Sequence, residues 1–159
     1  MIQIHSILLA EDNPLDTELT LGALAEHNLA NEVVVVTDGA EALDYLYHRG
    51  RFKLRTDGNP AVIMLDLKMP KVDGLEVLRI VKADEKLKNI PIVMLTSSRE
   101  EHDLVRSYNL GVNSYVVKPV DFQAFVTAVK QIGVYWAVHN EPPLGSARSR
   151  AQTDLKGPS

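Results

Sequence analysis

The chain has 159 residues, a formal net charge of −4 and no cysteine. That length suits one domain with a real core, the mild acidity argues against general nucleic-acid binding, and disulfides, zinc thiolates and thiol nucleophiles are excluded. The opening residues carry no basic region and reach Glu11-Asp12 too soon for a signal peptide, and no apolar run approaches the ~20 residues of a membrane span, so a cytoplasmic protein is expected.

Five apolar, strand-like runs follow one another: Ile4–Ala10, Glu32–Thr37, Ala61–Leu65, Ile90–Leu95 and Ser114–Val117. Helical patterns fill the gaps, as in repeated βα units. The first helix begins near Asn13-Pro14, with Asp12 or Asn13 as cap and Pro14 at the first helical position. Leu15, Leu19, Ala23 and the Leu21–Leu24 pair form its stripe, and Asn28 is a candidate stop. Thr37-Asp38-Gly39 opens the second helix, in which Ala40, Leu43, Leu46 and Tyr47 keep helical spacing. Residues 48–60 form a basic, turn-rich connection, which reads as a solvated surface loop or a partner contact.

The third strand runs straight into Asp66. Being apolar throughout and bounded by Pro60 and Pro70, it reads as buried on both faces, which implies a parallel sheet. Asp73-Gly74 caps the third helix, with Leu75, Leu78 and Val81 inward. The fourth strand ends at Thr96. A helix from Arg99-Glu100 follows, with Leu104, Val105 and Tyr108 recurring and Gly111 as terminator. The fifth strand stops at Lys118-Pro119. Asp121 caps the last helix, whose Phe122, Phe125, Val126, Val129 and Ile132 share one face. Residues 1–139 read as the domain, and residues 140–159, rich in Pro, Gly and Ser, as a polar tail.

Five strands alternating with five helices predict a doubly wound α/β fold with strand order 2-1-3-4-5. Glu11-Asp12, Asp66, Thr96 and Lys118 then share the carboxyl edge of one sheet, and strands one and three are neighbours. Three carboxylates brought together repel one another unless a cation sits among them. Oxygen ligands without His or Cys suit Mg²⁺. Asp66 would act as nucleophile toward phosphorus, with Lys118 and Thr96 on the phosphoryl oxygens. Each residue alone has an ordinary explanation as a helix cap, a dipole partner or a surface charge; only their joint placement argues for a site. Phosphate-binding Gly-rich loops and the Gly-x-Ser-x-Gly elbow are absent, and the five histidines show no ligand spacing.

The pattern resembles the receiver domains of two-component response regulators over roughly residues 4–138. The resemblance rests on Glu11-Asp12, the run Asp66-Leu-Lys-Met-Pro70…Asp73-Gly74, Leu95-Thr96-Ser97 and Lys118-Pro119. It implies a flavodoxin-like receiver fold in which Asp66 is phosphorylated by a histidine kinase. Glu11, Asp12 and Asp66, with the backbone carbonyl of Lys68, would hold Mg²⁺. Thr96 and Tyr115 would form a switch pair, Lys118 would bind the phosphoryl group, and the Lys118-Pro119 bond would be cis. The basic connection before strand three and Pro142-Pro143 after Tyr135-Trp136 resemble the single-domain phytochrome-associated regulators. In that subgroup the donor is a phytochrome-type kinase, and homodimers through the helix-four to helix-five face are common. Output would pass to a downstream protein, without a DNA-binding domain. The alternative is an aspartate-nucleophile phosphohydrolase resembling the haloacid dehalogenases, although these usually carry a second Asp where Lys68 stands.

Overall fold

The computed structural model describes residues 6–25, 33–107 and 114–131. Its elements alternate as the apolar periodicity requires. The strands are β1 (Ile7–Ala10), β2 (Val33–Val36), β3 (Val62–Asp66), β4 (Ile92–Thr96) and β5 (Tyr115–Val117). The helices are α1 (Pro14–Ala25), α2 (Gly39–Tyr47), α3 (Gly74–Ala83), α4 (Arg99–Ser107) and α5 (Phe122–Gln131). All strand pairs are parallel, in the order β2-β1-β3-β4-β5. The expected flavodoxin-like topology is therefore the observed one.

β1, β3 and β4 are buried along their whole length. Helices on both faces leave these central strands no polar position short of their carboxyl ends, which is why they read as unbroken apolar runs. β3 extends one residue further than its apolar run and takes in Asp66.

The helix starts are fixed by short polar side chains. Asn13 Oδ1 accepts from the amides of Leu15 and Asp16 at the head of α1. Asp38 and Asp73 accept from Glu41 N and Glu76 N at the heads of α2 and α3. Ser98 Oγ and Asp121 Oδ1 serve Glu101 N and Ala124 N for α4 and α5. Each satisfies an amide that has no partner within its own helix. Since every helix follows a strand, all five caps lie toward the carboxyl edge of the sheet.

Two expectations need correcting. In α1, Leu15 and Leu19 point outward, 61% and 46% exposed, while Thr20 and Leu24 are buried. Both sets keep helical spacing, so periodicity alone could not choose the inner face. Leu104 of α4 is likewise exposed, and Val105 is the residue that packs inward.

The basic connection is not simply solvated. It holds a short 3-10 turn at Gly50–Phe52, and the Arg55 side chain is only 8% exposed. Its guanidinium donates to the carbonyls of Tyr45, Asp57 and Gly58 and stacks 3.9 Å over the Tyr45 ring. Arg55 thus straps the loop onto α2, a use of the planar fork that a lysine cannot copy. The readings made for Asn28, Tyr108, Gly111, Ile132, Tyr135-Trp136 and the tail, and for the side chain of Val129, lie outside the described residues.

Candidate phosphoacceptor site

The edge residues are set in place by sheet hydrogen bonds that continue past the strands. Glu11 N donates to Val36 O (3.0 Å), and Leu67 N to Leu95 O (3.2 Å). Lys118 N donates to Thr96 O (2.8 Å). Glu11, Asp66, Thr96 and Lys118 are therefore carried on rigid backbone, although they are far apart in sequence. The Lys118-Pro119 peptide bond is cis.

Asp66 leads into a loop that folds straight back. Gly74 N donates to Leu67 O (2.8 Å), and Val72 N to Pro70 O (2.8 Å). Lys71 takes a positive φ of 67° inside this turn. The loop is pinched by the first residues of two helices. A Cβ on Gly39 would strike the carbonyl of Val72, and one on Gly74 would strike the carbonyl of Asp66. Only glycine admits such backbone approach.

The structure brings Glu11, Asp12 and Asp66 together. Each offers a carboxylate oxygen, and these atoms all lie within 4.8 Å of one another. Glu11 and Asp66 are buried, and Asp12 is exposed. An all-oxygen donor set of this kind suits a hard divalent cation. Lys118 Nζ reaches into the same group, 3.2 Å from Glu11 Oε1 and 3.2 Å from Asp66 Oδ1. Glu11 also accepts the Asn13 amide through Oε2 (3.1 Å), so it serves the start of α1 as well.

The electrostatics follow from this crowding. Burial, and next the negative charge of Glu11, push the Asp66 carboxyl up to about 7; Lys118 pulls the other way without cancelling them. Burial by itself would lower the Lys118 pKa. Its contacts with Asp16, Asp66 and Glu11 together outweigh that and raise it, so the ammonium stays charged. The hydroxyl of Thr96 is fully buried and has no hydrogen-bond partner among the described residues. A buried donor left unpaired costs stability.

Other expected residues sit close by with looser connections. Lys68 is exposed in the loop after Asp66, its ammonium 3.5 Å from Glu101 Oε2. Tyr115 is half-buried at the start of β5, opposite Met94, and packs against the core. One residue was missed by sequence reasoning. Asp16 Oδ2 lies 2.9 Å from Lys118 Nζ, in the first turn of α1. Its only sequence signal is an acid near a helix start, which a dipole argument already covers.

A parallel sheet of this order with an acid cluster at its carboxyl edge is the arrangement expected of a receiver domain. The chain belongs to the response regulator receiver domain family, whose model matches residues 7–130. It is similar to the bacteriophytochrome response regulator AtBRR, at 61% identity, covering 88% of this chain and 100% of that one, with a TM-score of 0.83. The bacteriophytochrome response regulator RtBRR is 60% identical, covers 91% of this chain and 87% of that one, and has a TM-score of 0.81. Response regulator Rcp1 of Synechocystis sp. is 36% identical over 130 residues, 82% of this chain and 87% of the relative. A structure of Rcp1 has been solved in a Mn²⁺-bound form. The phosphohydrolase alternative finds no support in these matches. Among the described residues, no helix is long and apolar enough to cross a membrane.

Proposed function

We propose that this chain is a cytoplasmic receiver that accepts a phosphoryl group on Asp66 from a phytochrome-type histidine kinase, with Mg²⁺. The observation that carries this reading is the convergence of Glu11, Asp12 and Asp66 within reach of one ion, in a chain similar to bacteriophytochrome response regulators. Those three carboxylates, with the backbone carbonyl of Lys68, would hold the cation. Bound there, Mg²⁺ favours the ionised form of Asp66 and offsets the negative charge of the phosphoryl group.

Ionised Asp66 is the nucleophile. A carboxylate oxygen forms the new O–P bond as the P–N bond to the kinase histidine breaks. The electron pair stays on the imidazole nitrogen, which takes up a proton. Lys118 gives its positive charge to the phosphoryl oxygens. Thr96, whose hydroxyl has no partner among the described residues, donates to one of them. That inward movement of Thr96 leaves room for the Tyr115 ring, and the surface of α4, β5 and α5 changes with it. A local charge thereby biases a two-state element. Output passes to a protein partner, and a homodimer through the α4 to α5 face is part of this reading. Residues 1–139 form the phosphoacceptor unit, and residues 140–159 a polar tail.

The test is phosphotransfer from a purified phytochrome kinase labelled on its histidine. Label should leave the kinase and appear on this chain within minutes in Mg²⁺. It should remain on the kinase with Asp66→Asn. Label reaching the Asp66→Asn variant equally well would remove Asp66 from the role.

A further inference from the structure

Lys118 is held by three carboxylates, and the shortest of the three contacts is made by Asp16. Its Oδ2 lies 2.9 Å from Nζ, against 3.2 Å for both Glu11 and Asp66. An ammonium has three N–H donors, so each carboxylate can take one. The partners are not equivalent. Glu11 and Asp66 belong to the cluster within reach of one ion, and Asp16 does not. A cation held there would draw on oxygens of Glu11 and Asp66, which Lys118 also contacts, and not on those of Asp16.

Asp16 is itself well placed to serve as an anchor. It stands in the first turn of α1, and its amide donates to the capping Asn13 Oδ1 at 3.0 Å. The cap fixes the backbone from which its side chain reaches Lys118, 102 residues away. An acid in the first turn also complements the helix dipole, but that needs no partner across the sheet edge. Lysine is a point charge on a long flexible stem, so its direction depends on what holds its head.

We infer that Asp16 is a positioning residue, which keeps the Lys118 ammonium aimed at the rim when the acid cluster is occupied by a cation. The inference rests on the phosphoacceptor reading, and its test separates the two. Asp16→Ala removes the contact, whereas Asp16→Asn keeps an acceptor oxygen and loses the charge. The first readout uses protein saturated with Mg²⁺ and given no phosphodonor: the ¹H–¹⁵N signal of the Lys118 ammonium, slowed in exchange by its hydrogen bonds. It should be visible in wild type and Asp16→Asn and broadened in Asp16→Ala. The second is adduct formation with acetyl phosphate across a Mg²⁺ series. Asp16→Ala should lower the rate at saturating Mg²⁺ by about tenfold, the loss of one charge-assisted hydrogen bond. The Mg²⁺ midpoint should stay in place, and Asp16→Asn should recover most of the rate. An unchanged ammonium signal or an unchanged saturating rate in Asp16→Ala would overturn the inference. So would a shifted midpoint with Asn as poor as Ala, which is the behaviour of a remote charge. Wild type forming no adduct would overturn the phosphoacceptor reading instead, with the ammonium signal still reporting on Asp16.

Discussion

Gly74 offers the sharpest single test of how the fold holds Asp66. It is the first residue of α3, and its backbone lies directly on the end of β3. A Cβ there would overlap the carbonyl oxygen of Asp66, and it would sit 2.9 Å from Leu67 Cα and 3.0 Å from Asp66 C. These are backbone atoms, pinned by the Gly74 N to Leu67 O bond and the Leu67 N to Leu95 O bond. They cannot swing aside as a side chain would. In Gly74→Ala the helix start or the strand end must move. Overpacking of that kind costs about 1–3 kcal/mol, against about 0.5–1 kcal/mol gained by replacing a helical glycine. Weakening the Gly74–Leu67 bond adds about 1 kcal/mol, for a net loss of about 1–3.5 kcal/mol. Gly22, inside α1, is the control, because a Cβ there meets nothing within 4 Å. Gly22→Ala should therefore stabilise by about 0.5–1 kcal/mol. Urea unfolding of both variants, with unchanged slope, measures the two signs. Because the displacement falls on Asp66, Gly74→Ala should also slow adduct formation while Gly22→Ala leaves it alone. Gly74→Ala as stable and as reactive as wild type would refute the close-approach argument.

Asp66 makes metal-free stability depend on pH. Its folded pKa of about 7 exceeds the ordinary 3.8, so between these values the native state holds a proton that the unfolded chain has lost. Stability should fall as pH rises through that window and level off above it. Asp66→Asn should flatten the fall and be more stable than wild type at pH 8 by on the order of 2–4 kcal/mol, measured by urea unfolding without divalent cations. Mg²⁺ at pH 8 should raise the Tm of wild type and leave that of Asp66→Asn nearly unchanged. Thr96→Val removes a buried hydroxyl that has no partner among the described residues. It should leave metal-free stability unchanged or raise it by up to about 1 kcal/mol, while shortening the life of the adduct in a decay assay. Arg55→Lys should cost about 2 kcal/mol, because carbonyls of Tyr45 and Gly58 lose a fork that lysine cannot supply; urea unfolding measures this.

The elements that could be read from the sequence are those in which chemistry and period coincide. Asp66 stood out because an unbroken apolar strand ends on a charge, and strand order then set it beside Glu11. Asp38, Asp73 and Asp121 announced helix starts, and each caps one. Where two patterns shared one period, the sequence could not decide. Leu15 and Leu19 repeat as regularly as Thr20 and Leu24, and only packing shows which pair faces in. Arg55 was hidden for another reason: the carbonyls that bury its guanidinium have no sequence signature. Asp16 was hidden because its partner is brought to it by the sheet, and neither residue forms a motif with the other.

The central claim is that Asp66, held among the acids of one sheet edge, takes up phosphorus with the help of a divalent cation. Intact mass after incubation with acetyl phosphate tests it directly, with and without Mg²⁺ and with peptide mapping of the product. A single phosphoryl adduct on Asp66, formed only with Mg²⁺ and missing in Asp66→Asn, is the expected result. An adduct mapped to another residue, or rapid turnover of phosphate esters with nothing trapped on the protein, would contradict it.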